Sequence, residues 1–389
     1  MVRHEEALDA FVRRQHHTLL LQVGTCFYSF DRTGRFLFLS DTGRAVRRGL
    51  DHRMVESSTM RPNVWRTYHD LSEEQKHALL SSVYHHVETL LQQPQVSERA
   101  WLERIVSWQG DRDLKQDYDA FYNVYQRVSI LPPDQYKALF VQLAEGCSYN
   151  RCAFCDFYQD RSFHVKTPEE LKEHVGKLKR FFGERLQDRD QVFLGDGNAL
   201  VVAQDRLVEA LYMLRKELPE LPSNFTFSTF MDTFHVDDKS LAQLRTIRQL
   251  GLTHVYVGLE TGHNELRSAL KKPGTSEEAA EAISILKSAG FHVGVIVLVG
   301  VGGDPFALDH RMRTLDLLAC LPLDKNDIIY LSPFVDPDNV RYHQWIRSQG
   351  IVSWNKQKIF EEMRRFRDSL TSLSGKPKVT LYSIEEHLY

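Results

Sequence analysis

Three of the chain's five cysteines, Cys147, Cys152 and Cys155, fall within the stretch "EGCSYNRCAFCDFY" (145–158), whereas Cys26 and Cys320 stand alone. Thiolates this close in sequence can wrap one metal centre, and the C-x4-C-x2-C spacing supplies three ligands where a closed site needs four. A centre held this way keeps one position open for a ligand that reacts. Two plainer readings compete. A structural zinc knuckle or structural iron–sulfur cluster would borrow a fourth ligand from Cys26, Cys320 or the nearby His164, but structural zinc normally closes its site with paired ligands, often two C-x2-C pairs. Three unrelated buried thiols would require an accidental cluster in a chain with five cysteines among 389 residues. An odd, unevenly spaced set is also a poor disulfide framework.

The loop that carries the cysteines has to be held by a scaffold, and the surrounding pattern supplies one. From Ile130 onward, strand-like runs ("ALFVQLAEG", "QVFLG", "FTFSTF", "HVYVGLE", "HVGVIVLVG", "DIIYLSPF") alternate with helical ones, among them "TPEELKEHVGKLKRFF", where Thr167 and Glu170 can form a capping box. Six strands separated by helices argue for a parallel sheet of βαβ units, buried on both faces. The span of about 250 residues suits a βα barrel, complete or partial, and chemistry in such a fold sits at the C-terminal ends of the strands. The cysteines follow the first of these strands directly.

The first third has a different texture. "MVRHEEALDAFVRRQHH" reads as a short helix, "LLLQVGTCFYSF", "DRTG" and "RFLFLS" read as one β-hairpin turning at Asp31–Gly34, and "SEEQKHALLSSVYHHVETLLQQ" reads as a helix capped by Ser72 and Gln75. Further helix is expected over 97–108 and around 118–127. "ILPPDQY" (130–136) breaks helix and marks a boundary, giving an N-terminal mixed α+β region over 1–133 and an α/β partial (β/α)6 barrel with a C-terminal extension over 134–389. A formal net charge of -3 gives no footprint for nucleic acid or an anionic membrane, and "TLLLQVG" is too short and wrongly flanked for a signal peptide or a span. A cytoplasmic location is the expectation. Cys26 reads as a small buried hydrophobe, or as a substrate-binding thiol if the N-terminal hairpin folds over the barrel mouth, and Cys320 as part of a helix's apolar face.

"GCSYNRCAFCDFY" resembles the cluster loop of the radical S-adenosylmethionine (SAM) superfamily, with one residue more between the first two cysteines than the commonest spacing of that family. The resemblance runs from about Leu139 to Phe334. Phe154 matches the aromatic before the last cysteine, near the adenine. "FLGDGNAL" (193–200) is similar to the Gly-Gly-Glu-Pro segment that receives the SAM amine, with Asp196, Gly197 and Asn198 in its place and both Asp196 and Asn198 available to the ammonium. "VYVGLETGHNELRSALKKPGTSEEAAEAI" (255–283) resembles the fourth-strand segment of oxygen-independent coproporphyrinogen oxidases and methylthiotransferases, which would put Glu260 near the SAM ribose or amino-acid portion and Lys272 where that branch often has arginine. "VGVIVLVGVGGD" (293–304) is similar to the fifth-strand glycine motif beside the adenine, here represented by Gly300.

The resemblance implies a 4Fe-4S cluster on Cys147, Cys152 and Cys155, with SAM on the remaining iron and a flavodoxin or ferredoxin as electron donor. It implies reductive cleavage of SAM to a 5′-deoxyadenosyl radical that takes hydrogen from a substrate, for which a small molecule is expected. Modification of tRNA or a peptide, or a non-catalytic iron–sulfur or zinc protein on a barrel scaffold, are the alternatives. With two cysteines outside the triad and no Asp-x-His-x-x-Gly stretch, an auxiliary cluster, a second triad of the methylthiotransferase kind and cobalamin are not expected.

Overall fold

The computed structural model describes residues 10–58, 66–109, 111–235, 238–336, 340–373 and 377–389. Its contacts separate two units, one drawn from Met1–Arg127, Lys177–Asp188 and Glu385–Tyr389, the other from Val128–Gly176 and Arg189–Ile384.

In the first unit, seven antiparallel strands pair in sequence order: β1 (Ala10–Gln15), β2 (Thr18–Val23), β3 (Cys26–Asp31), β4 (Phe36–Asp41), β5 (Arg44–Arg48), β6 (Met54–Ser58) and β7 (Tyr68–Asp70). Period-2 alternation sends Leu19, Leu21, Tyr28, Leu39 and Val46 to a core shared with α1 (Glu73–Leu91), α2 (Arg99–Val106) and α3 (Asp111–Tyr122). The capping box of Ser72 and Gln75 starts α1.

Two expectations are corrected here. Residues 10–15 form a strand and not a helix, because pairing with β2 from Ala10↔Val23 to Gln15↔Thr18 sets Ala10 and Val12 against the core. That pairing overrides a weak local pattern; residues 1–9 lie outside the described residues. The hairpin is in fact three strands, since "LLLQVGTCFYSF" folds back at Gly24 and Thr25, while Asp31–Gly34 does turn β3 into β4. Cys26 is half-buried against this core.

The second unit is a parallel sheet. It contains β8 (Leu139–Gln142), a small ladder of β9 (Ala144–Glu145) with β10 (His164–Val165), the start of α4 (Pro168–Phe182), whose residues from Lys177 on belong to the first unit, β11 (Gln191–Gly195), α5 (Gln204–Glu217), β12 (Thr226–Met231), α6 (Leu241–Gln249) and β13 (Leu252–Glu260). Then come α7 (Asn264–Ala269), α8 (Ser276–Ser288), β14 (His292–Val299), α9 (Gly303–Cys320), β15 (Ile328–Pro333), α10 (Val340–Ser348), α11 (Lys356–Leu370) and β16 (Lys378–Leu381). The main sheet runs β16-β15-β14-β13-β12-β11-β8, every neighbour parallel. The six expected strands are present in order, and β16 adds a seventh at the edge. Its four half-exposed residues carry too short a pattern to read from sequence.

Val141, Phe193, Val255, Val295 and Ile329 are fully buried, as strands covered on both faces require. The Thr167–Glu170 capping box is present, Glu170 N–H donating to Thr167 Oγ1 and Thr167 N–H to Glu170 Oε2. Cys320 is exposed, not core. It follows Leu318, the last buried residue of α9, by two positions, and two helical steps turn a side chain to the opposite face.

Inside the first unit, buried Arg35 and Arg48 both donate to Oδ2 of Asp117, at 2.6 and 2.9 Å. Removing the shared anion would leave two guanidinium groups buried without it. Asp117→Ala is therefore expected to cost about 3–5 kcal/mol of stability, read from denaturant titration of the sheet unit's tryptophan fluorescence.

Candidate active site

A cavity of about 210 Å³ in the second unit is lined by residues at and beyond the C-terminal ends of its strands. Cys147, Cys152, Phe154, Cys155, Gly197, Asn198, Glu260 and Lys272 all line it, with apolar walls from Phe230, Ile296 and Phe334. Asp196 and Gly300 do not. Gly300, at φ +96°, stands against Ile359 of α11, where an added Cβ would lie 2.8 Å from Cγ1, so it serves packing behind the cavity.

The three cysteines are half-buried. Burial pushes the Cys155 thiol up to about 12 and raises Cys152 as well, so in the protein without metal both hold their protons and a metal must displace them. The loop is pinned by Ala153 N–H to Leu270 O at 2.8 Å, Tyr149 Oη to Lys271 O at 2.9 Å and Asn150 Nδ2 to Tyr158 O at 2.7 Å. Among the described residues no three His, Cys, Asp or Glu side chains converge to hold a single ion. Three thiols around one cavity, none of them already bonded in a disulfide, are the donor set of a thiolate-bound cluster. His164, a candidate fourth ligand, meets Glu170 at 2.9 Å.

Asp196 is buried and its carboxylate is occupied. Oδ2 accepts from Gly146 N–H at 2.9 Å and Arg161 Nη1 at 3.0 Å, and Oδ1 accepts from Gln142 Nε2 at 3.1 Å. Burial raises its pKa in spite of these partners. Gly197 N–H donates to Gly146 O at 3.1 Å, and a Cβ on Gly197 would sit 2.9 Å from that oxygen, so only glycine lets the two loops meet. Asn198 then reaches the cavity, its Oδ1 capping Leu200 N–H and its Nδ2 donating to Asp232 Oδ2 at 2.9 Å. Asp232 lines the cavity one residue after β12. Sequence reasoning passed over it, although a carboxylate directly after "FTFSTFM" was the available signal.

Glu260 ends β13 at φ +63°, just past a register shift between Gly258 and Glu260. Bulges of this kind re-aim a side chain next to a site. Its Oε1 lies 3.3 Å from Lys272 Nζ. Burial alone would lower the lysine's pKa, but the Glu260 carboxylate beside it holds it above the usual value. Behind the bulge, Arg267 donates to Leu259 O at 2.6 Å, and His310 of α9 bridges two strand ends. Its Nε2–H donates to Leu298 O at 3.1 Å and its Nδ1 accepts from Thr261 Oγ1 at 2.6 Å. Burial pushes His310 down to about 4.

The family model described as the radical SAM superfamily matches residues 141–318. The chain carries a radical SAM domain. A 4Fe-4S cluster and SAM are the cofactors of that superfamily, whose members act as enzymes. Solved structures similar to this chain include methylornithine synthase (PylB), at 17% identity over 75% of this chain and 77% of that one, with a TM-score of 0.41. Coproporphyrinogen III oxidase (HemN) from Escherichia coli is 15% identical over 68% of this chain and 56% of its own, with a TM-score of 0.45. The cobalamin-dependent S-adenosylmethionine radical enzyme OxsB is 16% identical over 64% of this chain, at a TM-score of 0.39, and the match spans 32% of the OxsB chain. No curated protein matches. Among the described residues no helix is long and apolar enough to cross a membrane.

Two outcomes are expected. Asp196→Asn should weaken cluster loading about 10-fold, as loss of a ligand-orienting partner does, while Glu260→Gln loads normally; iron and sulfide counts after anaerobic reconstitution decide this. Between pH 6.5 and about 4 the unfolded chain binds a proton that folded His310 refuses, so stability should fall as pH drops through that window. His310→Gln should show a shallower fall in denaturant titrations followed at Trp345 and Trp354 of the second unit.

Proposed function

We propose that the protein is a radical SAM enzyme whose cluster is held by Cys147, Cys152 and Cys155 and whose substrate is a small molecule. The observation that carries the reading is the meeting of the three thiols with Asn198, Glu260 and Lys272 on one cavity inside the domain that matches the superfamily. Bound there, the cluster and SAM would supply hydrogen-abstracting radical chemistry, one electron from a flavodoxin or ferredoxin type donor cleaving SAM with release of methionine.

This chain's own residues bind and exclude. The Glu260–Lys272 pair presents one charge of each sign to the polar groups of SAM, Phe154 offers an aromatic face, and Asn198 an amide. Phe230, Ile296, Leu298 and Phe334 keep the remaining wall apolar, which shields a reactive carbon radical from water. A concave, mostly apolar cavity of this size at the strand ends suits a small molecule.

Anaerobic protein reconstituted with iron and sulfide, then given SAM and dithionite, should form 5′-deoxyadenosine. Cys155→Ala should form none. A fully loaded wild-type cluster that neither binds SAM nor yields the nucleoside would overturn the proposal.

A further inference from the structure

With Asp196 committed to Gly146, Gln142 and Arg161, the cavity lacks the carboxylate expected after the second barrel strand. The cavity's charged lining side chains are Asp232, Glu260 and Lys272. Glu260 and Lys272 offset each other at 3.3 Å. Asp232 meets no lysine or arginine in an ion pair among the described residues; its partner is His235, whose Nδ1 lies 2.8 Å from Oδ2. A carboxylate on a largely apolar wall is stabilised further by a cation that arrives with the ligand.

The geometry separates holding from binding. Oδ1 of Asp232 caps the following turn, accepting from Phe234 N–H at 3.3 Å and His235 N–H at 3.0 Å. That much is an ordinary Asx turn and needs no ligand. Oδ2 is held differently, by side chains alone. It accepts from Asn198 Nδ2 at 2.9 Å and shares His235 Nδ1 with Oδ1, the ring nitrogen lying 2.8 Å from Oδ2 and 2.9 Å from Oδ1. Asn198 follows Gly197, whose Cα packs beside Cys147, an added Cβ there falling 3.5 Å from the Cys147 Cβ. Asp232 is thus tied through Asn198 and Gly197 to the first cysteine of the triad.

We propose that Asp232, oriented by Asn198 and His235, is the carboxylate that receives the ammonium group of bound SAM in this protein, in place of an acid after the second strand. The inference rests on the radical SAM reading above and assigns one subsite within it.

The test compares two ligands on reconstituted wild type and Asp232→Asn: SAM and its analogue lacking the amino group, each measured by anaerobic equilibrium dialysis, with iron and sulfide counted. Asp232→Asn should load its cluster normally, lose about 10- to 100-fold in affinity for SAM and bind the analogue as wild type does. Equal losses for both ligands would show a collapsed turn, and an unchanged SAM affinity would show that the ammonium lies elsewhere; either overturns the assignment alone. A loaded wild type that binds no SAM and makes no 5′-deoxyadenosine overturns the radical SAM reading and this inference with it. If Asp232→Asn does not fold, Asn198→Ala carries the same comparison, because it releases Oδ2 and leaves the turn's backbone bonds in place.

Discussion

One buried carboxylate organises the catalytic end of the second unit. Asp196 collects the Gly146 N–H, the Arg161 guanidinium and the Gln142 amide, which belong to the start of the cysteine loop, its far side and the strand before it. The cysteine loop buries Ala153 and Tyr158 and packs Phe154 on the core, and polar bonds fix the rest of its shape. In a buried setting such bonds to a charged acceptor are strong, and leaving any of the donors unpaired would be expensive. Gly197 adds a direct backbone contact to the same loop. The position of Cys147 relative to the strand ends follows from this clamp.

The opposite wall depends on a different device. The register shift and left-handed backbone at Glu260 turn its carboxylate inward, where Lys272 offsets it. Paired with Lys272, it adds no net charge to the cavity. His310 sits behind both strand ends as a neutral imidazole with donor and acceptor each satisfied, so it can stiffen the bulge without adding charge near the thiols.

Much of this was legible in the sequence. The cysteine spacing and the six buried strands announced themselves because thiols cluster by type and doubly covered strands are continuously apolar. The N-terminal sheet was harder: β5 reads "RAVRR", where arginines occupy positions that alternation assigns to strand faces, and β1 acquires its identity only from β2. Asp196 and Asp232 show where sequence runs out. Both follow a barrel strand, and nothing in the residues beside them says that Arg161 will claim the first or that Asn198 will turn toward the second. Those assignments are made by side chains 35 and 34 positions away in the chain.

The two acids illustrate a general consequence of building a site on loops at one end of a sheet. Each strand end offers polar residues, and the fold needs some of them to hold neighbouring loops while the chemistry needs others free. A carboxylate bonded to a backbone N–H and an arginine on the same oxygen has no accessible lone pair left there for a ligand's ammonium, however close it lies in sequence to the motif. A carboxylate whose backbone donors gather on one oxygen keeps the other for side chains that can yield. Motif position alone does not distinguish a clamp from a binding group; the kind of donor on each oxygen, backbone and arginine or side chains that can yield, does.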